Sequence, residues 1–275
     1  MRTFKDNFIK ALIYLAAGLT SATLILIVAY ILYRGLGGIS LDFLLTMPKG
    51  GGAEGGIFSI IVITLWIVGL AVLISTPIGV CAAVYLVEYA KPGKIVRLIR
   101  FATESLSGIP SIIYGLFGMV FFQGFLKLGF SILSGALTVS IMVLPTVIRT
   151  TEEALKSVPS NYREGSLALG ATKLRTIIMV ILPCAVSGIL ASVILSIGRV
   201  VGETAALLLT AGTVQRMPST VLDSGKTLAV HLYILAKEGI SLNKAFATAA
   251  VLIIIVALIN LSANYLGSKL KGDNI

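Results

Sequence analysis

Residues 162–183 read YREGSLALGATKLRTIIMVILP and form a polar insert in an otherwise apolar chain. Ser160 is placed to cap a short helix, since a serine side chain accepts a bond from the free amides of the first turn. Glu164 lies in that turn, where the helix dipole favours an acid, and Gly170 follows where a left-handed residue ends the helix. The pattern predicts a helix of one to two turns that fits a groove on another protein. An amphipathic helix on the membrane surface explains the same residues equally well.

The composition of the whole chain is that of a membrane protein. Of its 275 residues, 57% are hydrophobic and only 12% are charged, against roughly 25% charged residues in soluble domains. The net charge of +10 would suggest nucleic acid as the partner of a soluble protein, but basic residues also gather in cytoplasmic loops of membrane proteins. His231 is the only histidine, which excludes a histidine-based metal centre. We therefore expect a protein embedded in membrane lipid that binds neither nucleic acid nor a metal.

Six apolar segments are long enough to cross a bilayer, which takes about 20 residues per helix. The run 55–87 is too long for one span and too short for two, and Pro77 predicts an end near residue 76. Residues 78–87 then form an interfacial or tucked helix. The first apolar run exceeds the roughly 7–15 residues of a signal peptide, so we expect a retained span. The predicted spans of this single all-α domain, residues 1–275, are 11–33, 57–76, 105–126, 128–148, 176–198 and 245–268.

The distribution of lysine and arginine predicts that both termini lie in the cytoplasm. With that orientation, the cytoplasmic segments hold more cations, and the external segments hold fewer cations over more loop. The stretch that begins at Tyr162 then belongs to a cytoplasmic loop, residues 149–175. The cytoplasmic cations are Arg2, Lys5, Lys10, Lys91, Lys94, Arg97, Arg100, Arg149, Lys156, Arg163, Lys173, Arg175, Lys269 and Lys271.

Two ionisable residues, Arg199 and Glu203, lie in apolar sequence that continues beyond span five. One straight helix over 176–211 would exceed the bilayer thickness, so the helix must break or protrude, most naturally at Gly198 or Gly202. On a helix, Arg199 and Glu203 would share a face and pair, and the two glycines would allow close helix approach. Intramembrane charges mark substrate paths, and a guanidinium suits a tetrahedral oxyanion. The alternative is that Arg199 ends the span at the outer interface and Glu203 faces water.

Glu104 is a further candidate for the pathway, at the inner end of span three. It follows Arg100 by four residues, so the two side chains would pair on one helix face. This pairing, or placement at the interface, explains Glu104 better than a transport role.

The tetrapeptide Ser224-Gly225-Lys226-Thr227 imitates the end of a phosphate-binding P-loop. The complete pattern needs a glycine five residues before Gly225, but Thr220 stands there. We therefore expect this chain to be non-catalytic and free of cofactors, with ATP and Mg²⁺ bound by a partner chain.

The cytoplasmic loop resembles that of the permease subunits of ABC importers. In this family Glu-Ala-Ala is followed after three residues by Gly and, nine residues later, by Ile-x-Leu-Pro. The chain keeps this spacing, with small and branched replacements, and ends the pattern at Pro183. The resemblance implies the type I ABC importer permease fold and a coupling helix that inserts into an ATPase subunit. The coupling-loop residues that it implies are Glu164, Gly165, Ser166, Gly170 and Ala171.

Residues 109–116 and 198–206 are similar to stretches of the phosphate importer permeases, and the likeness extends from about Gly56 to the C-terminus. The short second motif is shared by the PstA and PstC families, whereas the compact first external loop and the overall length favour PstA. The resemblance implies that Arg199 and Glu203 serve phosphate translocation by alternating access in a prokaryotic plasma membrane. It also implies three kinds of partner: a PstC-like permease, two PstB-like ATPase subunits and an external PstS-like phosphate-binding protein.

Other functions stay open at this point. A permease for sulfate, molybdate or another solute would carry the same coupling loop. A stand-alone channel or secondary transporter would not need the loop between Glu164 and Pro183. A membrane-embedded enzyme is disfavoured by the single histidine and the few acids in the spans.

Overall fold

Long apolar helices make up most of the chain in this computed structural model. The structure describes the backbone of residues 2–272, and it does not describe the side chains of residues 1–6, 8, 263, 264 and 266–275. The cytoplasmic cations predicted at Arg2, Lys5, Lys269 and Lys271 therefore lie outside the described side chains.

The helices are named here in chain order. Short π-helical turns extend α3 (Tyr85–Tyr89) and α5 (Met119–Phe125) and join α8 to α9 (Ile177–Ile181). A hairpin of two strands, β1 (Pro48–Lys49) and β2 (Glu54–Gly55), pairs antiparallel with Pro48 opposite Gly55. The helices are α1 (Arg2–Leu36), α2 (Leu41–Leu45), α3 (Phe58–Val84), α4 (Lys94–Ser107), α5 (Ser111–Gly118), α6 (Ile132–Lys156), α7 (Ser160–Ala168), α8 (Lys173–Thr176), α9 (Leu182–Val201), α10 (Ala205–Thr210), α11 (Leu228–Lys237) and α12 (Leu242–Gly272).

The predicted six-span all-α membrane protein is confirmed, with one span of unexpected form. Among the described residues, five helical segments are long and apolar enough to cross a bilayer, and α4 with the extended α5, a pair bent by 101°, makes a sixth when it is counted as one broken span. The five segments are Ile9–Leu36, Phe58–Tyr89, Ile132–Lys156, Lys173–Val201 and Leu242–Ser262.

Pro77 does not end the second span, so the predicted end at residue 76 and the separate helix 78–87 are wrong. Helix α3 runs through Pro77 to Val84. A proline inside a helix removes one backbone bond, which membrane helices tolerate when neighbouring elements compensate. Here α3 packs closely on α6: a Cβ added at Gly79 would lie 2.6 Å from Cγ1 of Val147. This packing holds the helix together across the proline.

Span three is not the single helix predicted for residues 105–126, because residues 105–107 belong to α4 and the chain bends before α5. The bend falls at Gly108 and Pro110, and Ser111 begins α5. Proline disfavours the helical conformation of the residue before it, which accounts for the break at this position. Residues Ser111–Phe125 form the second arm of the bent pair, and α4 is an amphipathic helix directed away from that arm.

The predicted boundaries of the cytoplasmic loop also shift. Helix α6 continues to Lys156, about two turns beyond residue 148, so the first part of the predicted loop 149–175 is helical. Helix α8 begins at Lys173, before the predicted start of span five at residue 176. What lies between them is essentially α7 and its flanking turns.

The core of the bundle lies where α3, α6, α9 and α10 meet. It contains, among others, Ile67, Ala71, Met142, Val200 and Leu207, each 1% exposed or less. Apolar side chains of this size stabilise a fold through close packing as well as through burial. Helix α1 stands apart: the membrane-spanning window within it has no buried residue.

Candidate functional site

A break in the fifth span lies next to both charged residues. Helix α9 ends at Val201, Gly202 terminates it, and α10 begins only at Ala205. The amide of Glu203 donates to the Val200 carbonyl at 3.1 Å, a tight turn rather than a continued helix. The predicted break at Gly202 is therefore confirmed.

Arg199 lies about halfway along the neighbouring span. Two close contacts locate the fifth span against α6. Gly188 of α9 lies against Ala154, near the inner end of α6, and Ala211, just after α10, lies against Gly135, near the outer end of α6. Because Arg199 is about midway between residues 188 and 211, it lies level with the middle of α6, itself about 37 Å long at 1.5 Å per residue. Helix α10 follows the break beyond Arg199, so the apolar segment does not end at the arginine.

The second broken span passes the same place. Across the bend between α4 and α5, the Tyr114 hydroxyl donates to the Leu106 carbonyl at 2.7 Å. Gly115 faces α10 so closely that a Cβ there would lie 2.8 Å from Cα of Ala206. The Arg199 guanidinium is within electrostatic range of the Tyr114 hydroxyl. Two breaks thus meet around one arginine, and irregular backbone at membrane depth is tolerated where it is buried or lines a watery cavity.

The predicted pair between Arg199 and Glu203 is not formed. The Glu203 carboxylate instead accepts the amide of Ala206 at 3.0 Å and so caps α10. The helical spacing of four residues fails because α9 has already ended at Val201. Within the part of the chain that the structure describes, the ion pairs involve other residues, and Arg199 makes no hydrogen bond or ion pair. Its five donors are available to a ligand.

Gly198 and Gly202 do not bring a helix of this chain close. A Cβ added at Gly198 would meet nothing within 4 Å, and at Gly202 the nearest atom is the Gly198 carbonyl oxygen at 3.8 Å. The close approaches lie on other elements, as at Gly115 and at Gly118, where a Cβ would meet Thr138. Small residues therefore allow close packing on α5 and, at Gly188, on the inner part of α9, but not at Gly198 or Gly202.

The coupling loop forms the short helix expected of it, and its N-terminal cap differs from the prediction. Ser160 is the first residue of α7, with Pro159 at the cap position and no side-chain bond there, so the predicted serine cap is wrong. The C-terminus is as predicted: Gly170 has φ +83°. Its amide bonds the Leu167 carbonyl at 3.0 Å, and the Ala171 amide bonds the Ser166 carbonyl at 3.2 Å. These two bonds close the left-handed termination of a helix.

The outer surface of α7 is free for a partner. None of its residues is buried, Leu169 just beyond it is 90% exposed, and Glu164 and Gly165 are also exposed. Ser166 faces inward and its hydroxyl lies 2.9 Å from that of Thr176. The exposed face at α7 thus combines an apolar residue, Leu169, with an acid, Glu164, and such a face can bind in a groove on another protein.

Glu104 lies near a cation, as the preferred interpretation expected, but the partner is Arg149 and not Arg100. Its carboxylate is 4.0 Å from the Arg149 guanidinium and its side chain is 72% exposed. Arg100 pairs instead with Glu152 at 2.6 Å, which also binds Lys156 at 2.6 Å. These residues line a cytoplasmic cavity of about 210 Å³.

The P-loop-like tetrapeptide has a structural role at the outer end of the bundle. Thr227 caps α11 by accepting the Val230 amide, and Lys226 is 1% exposed. Burial lowers the pKa of Lys226 to about 8. Burial, and next the charges of Lys226 and Lys244, lower the pKa of His231 to about 3. The described residues contain no group of three or more His, Cys, Asp or Glu that could hold a metal ion.

A membrane bundle with two broken spans around a central arginine, and with an exposed helix on one side, defines a transport permease. Residues 75–272 match the family described as binding-protein-dependent transport system inner membrane component, and the chain belongs to this family. It is therefore a multi-pass membrane protein of an ABC import system.

Individual relatives carry more specific names. The chain is 35% identical over 285 residues to the probable ABC transporter permease protein YqgI of Bacillus subtilis (strain 168), covering 98% of this chain and 97% of that protein. It is 35% identical over 210 residues to the phosphate transport system permease protein PstA of Pasteurella multocida (strain Pm70), covering 76% and 75%. A chain of the bacterial alginate ABC transporter, at 18% identity, superimposes with a TM-score of 0.67 over 98% of both chains. The predicted type I ABC importer permease fold is confirmed.

Proposed function

We propose that this chain is a PstA-like permease subunit of an ATP-driven phosphate importer and forms half of its translocation pathway. Relatives named as phosphate transport permeases support the solute. Arg199 carries the assignment to a pathway, because its guanidinium lies at mid-depth between two broken spans with no partner in the described chain. A forked cation of this kind binds a phosphate oxyanion through charge-assisted bonds.

Arg199 and Glu203 have different tasks in this mechanism. Arg199 binds the anion as it passes, and Glu203 holds the outer half of the broken span in place by capping α10. Because Glu203 is close in sequence to the arginine and is only 9% exposed, its charge also limits how tightly an anion is held. A pathway must bind its solute weakly enough to release it.

The energy comes from partner chains in this proposal. A PstC-like permease completes the pathway, and two PstB-like subunits bind ATP and Mg²⁺ and hydrolyse ATP. A PstS-like protein delivers phosphate from outside. Closure of the ATPase subunits displaces α7, with Glu164, Gly165, Ser166, Gly170 and Ala171 in the docking segment, and the spans rock between two states of access.

Phosphate uptake by the assembled complex tests the proposal. Arg199→Gln is expected to lower the uptake of radiolabelled phosphate at least 100-fold at unchanged complex abundance, because the anion loses the cationic contact that this subunit supplies. Arg216→Gln is the matched control, since Arg216 is an exposed arginine of the external segment, and it should leave uptake within twofold. Normal uptake by Arg199→Gln would refute the pathway role. Uptake of sulfate or molybdate instead of phosphate by the unmodified complex would show a permease for another solute.

A further inference from the structure

The position of the coupling helix α7 depends mainly on the hydrogen bonds of one side chain, Arg163, because packing gives the helix little support. It is nine residues long and buries none of them, and a helix of this length is unstable without tertiary support. Arg163, in its first turn, supplies such support. The side chain is 22% exposed, so it points toward the protein and away from the surface that faces a partner.

All three nitrogen positions of the Arg163 guanidinium are bonded. Nε donates to Oε1 of Glu88 at 2.9 Å, Nη1 to the Val158 carbonyl at 2.7 Å and Nη2 to the Leu155 carbonyl at 2.7 Å. Leu155 belongs to the last turn of α6, where carbonyls have no partner inside the helix. A cation at this end is also favoured by the helix dipole.

The Glu88 end of this contact belongs to another span. Glu88 lies in the π-helical turn that ends α3, and its side chain is 9% exposed. A planar guanidinium with three fixed bonds restrains distance and orientation together, which a single lysine contact does not. Arg163 therefore joins α7 to the cytoplasmic ends of two different spans, α3 and α6.

Both spans lead to the region around Arg199. Helices α3 and α6 pack along their lengths, with Gly79 against Val147, and share the core with Val200 beside Arg199. A second contact supports the same connection, because the Lys173 ammonium lies 4.8 Å from the ring of Tyr89, next to Glu88 in the π-helical turn.

We propose that Arg163 is the positioning residue through which a displacement of the coupling helix reaches α3 and α6. It does not touch the solute or ATP. When α7 moves, the three bonds carry the ends of both spans with it, and their packing carries the movement to the break at Gly202. This inference rests on the proposed role in an ATP-driven importer.

The number of phosphate ions imported per ATP hydrolysed tests this role in the complete complex reconstituted with its binding protein. Arg163→Gln is expected to lower this ratio at least tenfold while ATP hydrolysis stays within threefold, because α7 still docks but moves without the spans. Arg163→Lys keeps one bond to Glu88 and should lower the ratio about threefold. Glu88→Gln keeps the two carbonyl bonds and should also lower it about threefold. Arg97→Gln, an exposed cytoplasmic arginine on α4, should change nothing.

The outcomes separate this role from a purely structural one. Loss of ATP hydrolysis and uptake in equal proportion in all three variants would show that Arg163 only stabilises the subunit and would overturn the proposal. An unchanged ratio in Arg163→Gln would overturn it as well. If Arg163→Gln does not assemble, the ratios of Arg163→Lys and Glu88→Gln decide. Failure of the unmodified complex to import phosphate would refute the proposed function instead, before any variant is compared.

Discussion

Two arginines at two depths of the molecule are used in opposite ways. Arg163, at the cytoplasmic end, has three bonds to α3, α6 and the turn that follows α6. Arg199, at mid-depth, has no hydrogen bond or ion pair with any residue that the structure describes. A guanidinium that is hydrogen-bonded to several helices fixes their relative positions. A guanidinium without such bonds can bind a passing anion and release it. Arg163 reaches a carboxylate of α3 and carbonyls at and beyond the end of α6, whereas no such acceptor of the described chain bonds Arg199.

The largest difference between the two arginines is expected in stability. Arg163→Ala should lower the free energy of unfolding by about 3 kcal/mol, because it leaves the buried Glu88 carboxylate without its counter-charge. Arg199→Ala should leave this free energy unchanged or raise it slightly, as is common when a functional charge is removed. Denaturant unfolding of the purified complex in detergent measures both. Equal losses of unfolding free energy in Arg163→Ala and Arg199→Ala would contradict the view that only Arg163 has a structural role.

Lys226, at the outer end of the bundle, is a third cation whose environment differs from that of both arginines. It is 1% exposed and burial lowers its pKa from 10.5 to about 8, with Glu238 opposing the shift. Below pH 8 the folded protein bears the full cost of a buried ammonium. From about pH 8 to about 10.5 the unfolded chain binds more protons than the folded one, so stability should rise with pH.

Lys226→Met should therefore raise stability at pH 7 by about 3 kcal/mol, the size expected for this shift. It should also abolish the rise between pH 8 and 10.5. Thermal unfolding of both proteins across this range measures the effect. Lys237→Met, which removes a cation at the exposed end of α11, is the control and should keep the rise. A loss of stability in Lys226→Met would mean that a partner compensates the ammonium.

The smallest effect is expected at Glu203. Glu203→Ala removes the cap of α10 and should cost about 1 kcal/mol, the usual value of a helix cap. Glu203→Gln keeps an oxygen that accepts the Ala206 amide, so it should cost less than half as much. The difference in melting temperature between the two variants separates the contribution of the cap from that of the charge. If both lose the same amount, the charge and not the cap holds this residue in place.

Sequence patterns were sufficient for the features that depend on local chemistry. Apolar length predicted the number of spans, and the glycine at position 170 predicted the end of α7. The break at Gly202 followed from a span too long for the membrane. Each of these depends on residues within one or two turns, so no tertiary contact had to be known.

Tertiary contacts decided the features that the sequence did not predict. Pro77 lies inside α3 because packing on α6 outweighs one lost backbone bond. The pair expected between Arg199 and Glu203 fails because the helix ends between them. The bond of Arg163 to Glu88, 75 residues earlier, has only a weak signal in the sequence: a cation in the first turn of α7 and a lone acid just after α3.

Helix α1 makes its described contacts only near its outer end. Arg34 lies 5.4 Å from the ring of Phe246 on α12, the Tyr30 ring meets the same ring edge-on at 5.7 Å, and Gly35 permits the close approach. The described side chains from Ile9 to Ile27 are all exposed in this chain, so packing within the bundle does not constrain the shapes of these apolar residues. Exchanges among apolar residues in this stretch should therefore leave the packing of the bundle unchanged, whereas changes at Tyr30, Arg34 or Gly35 should weaken the contact of α1 with α12.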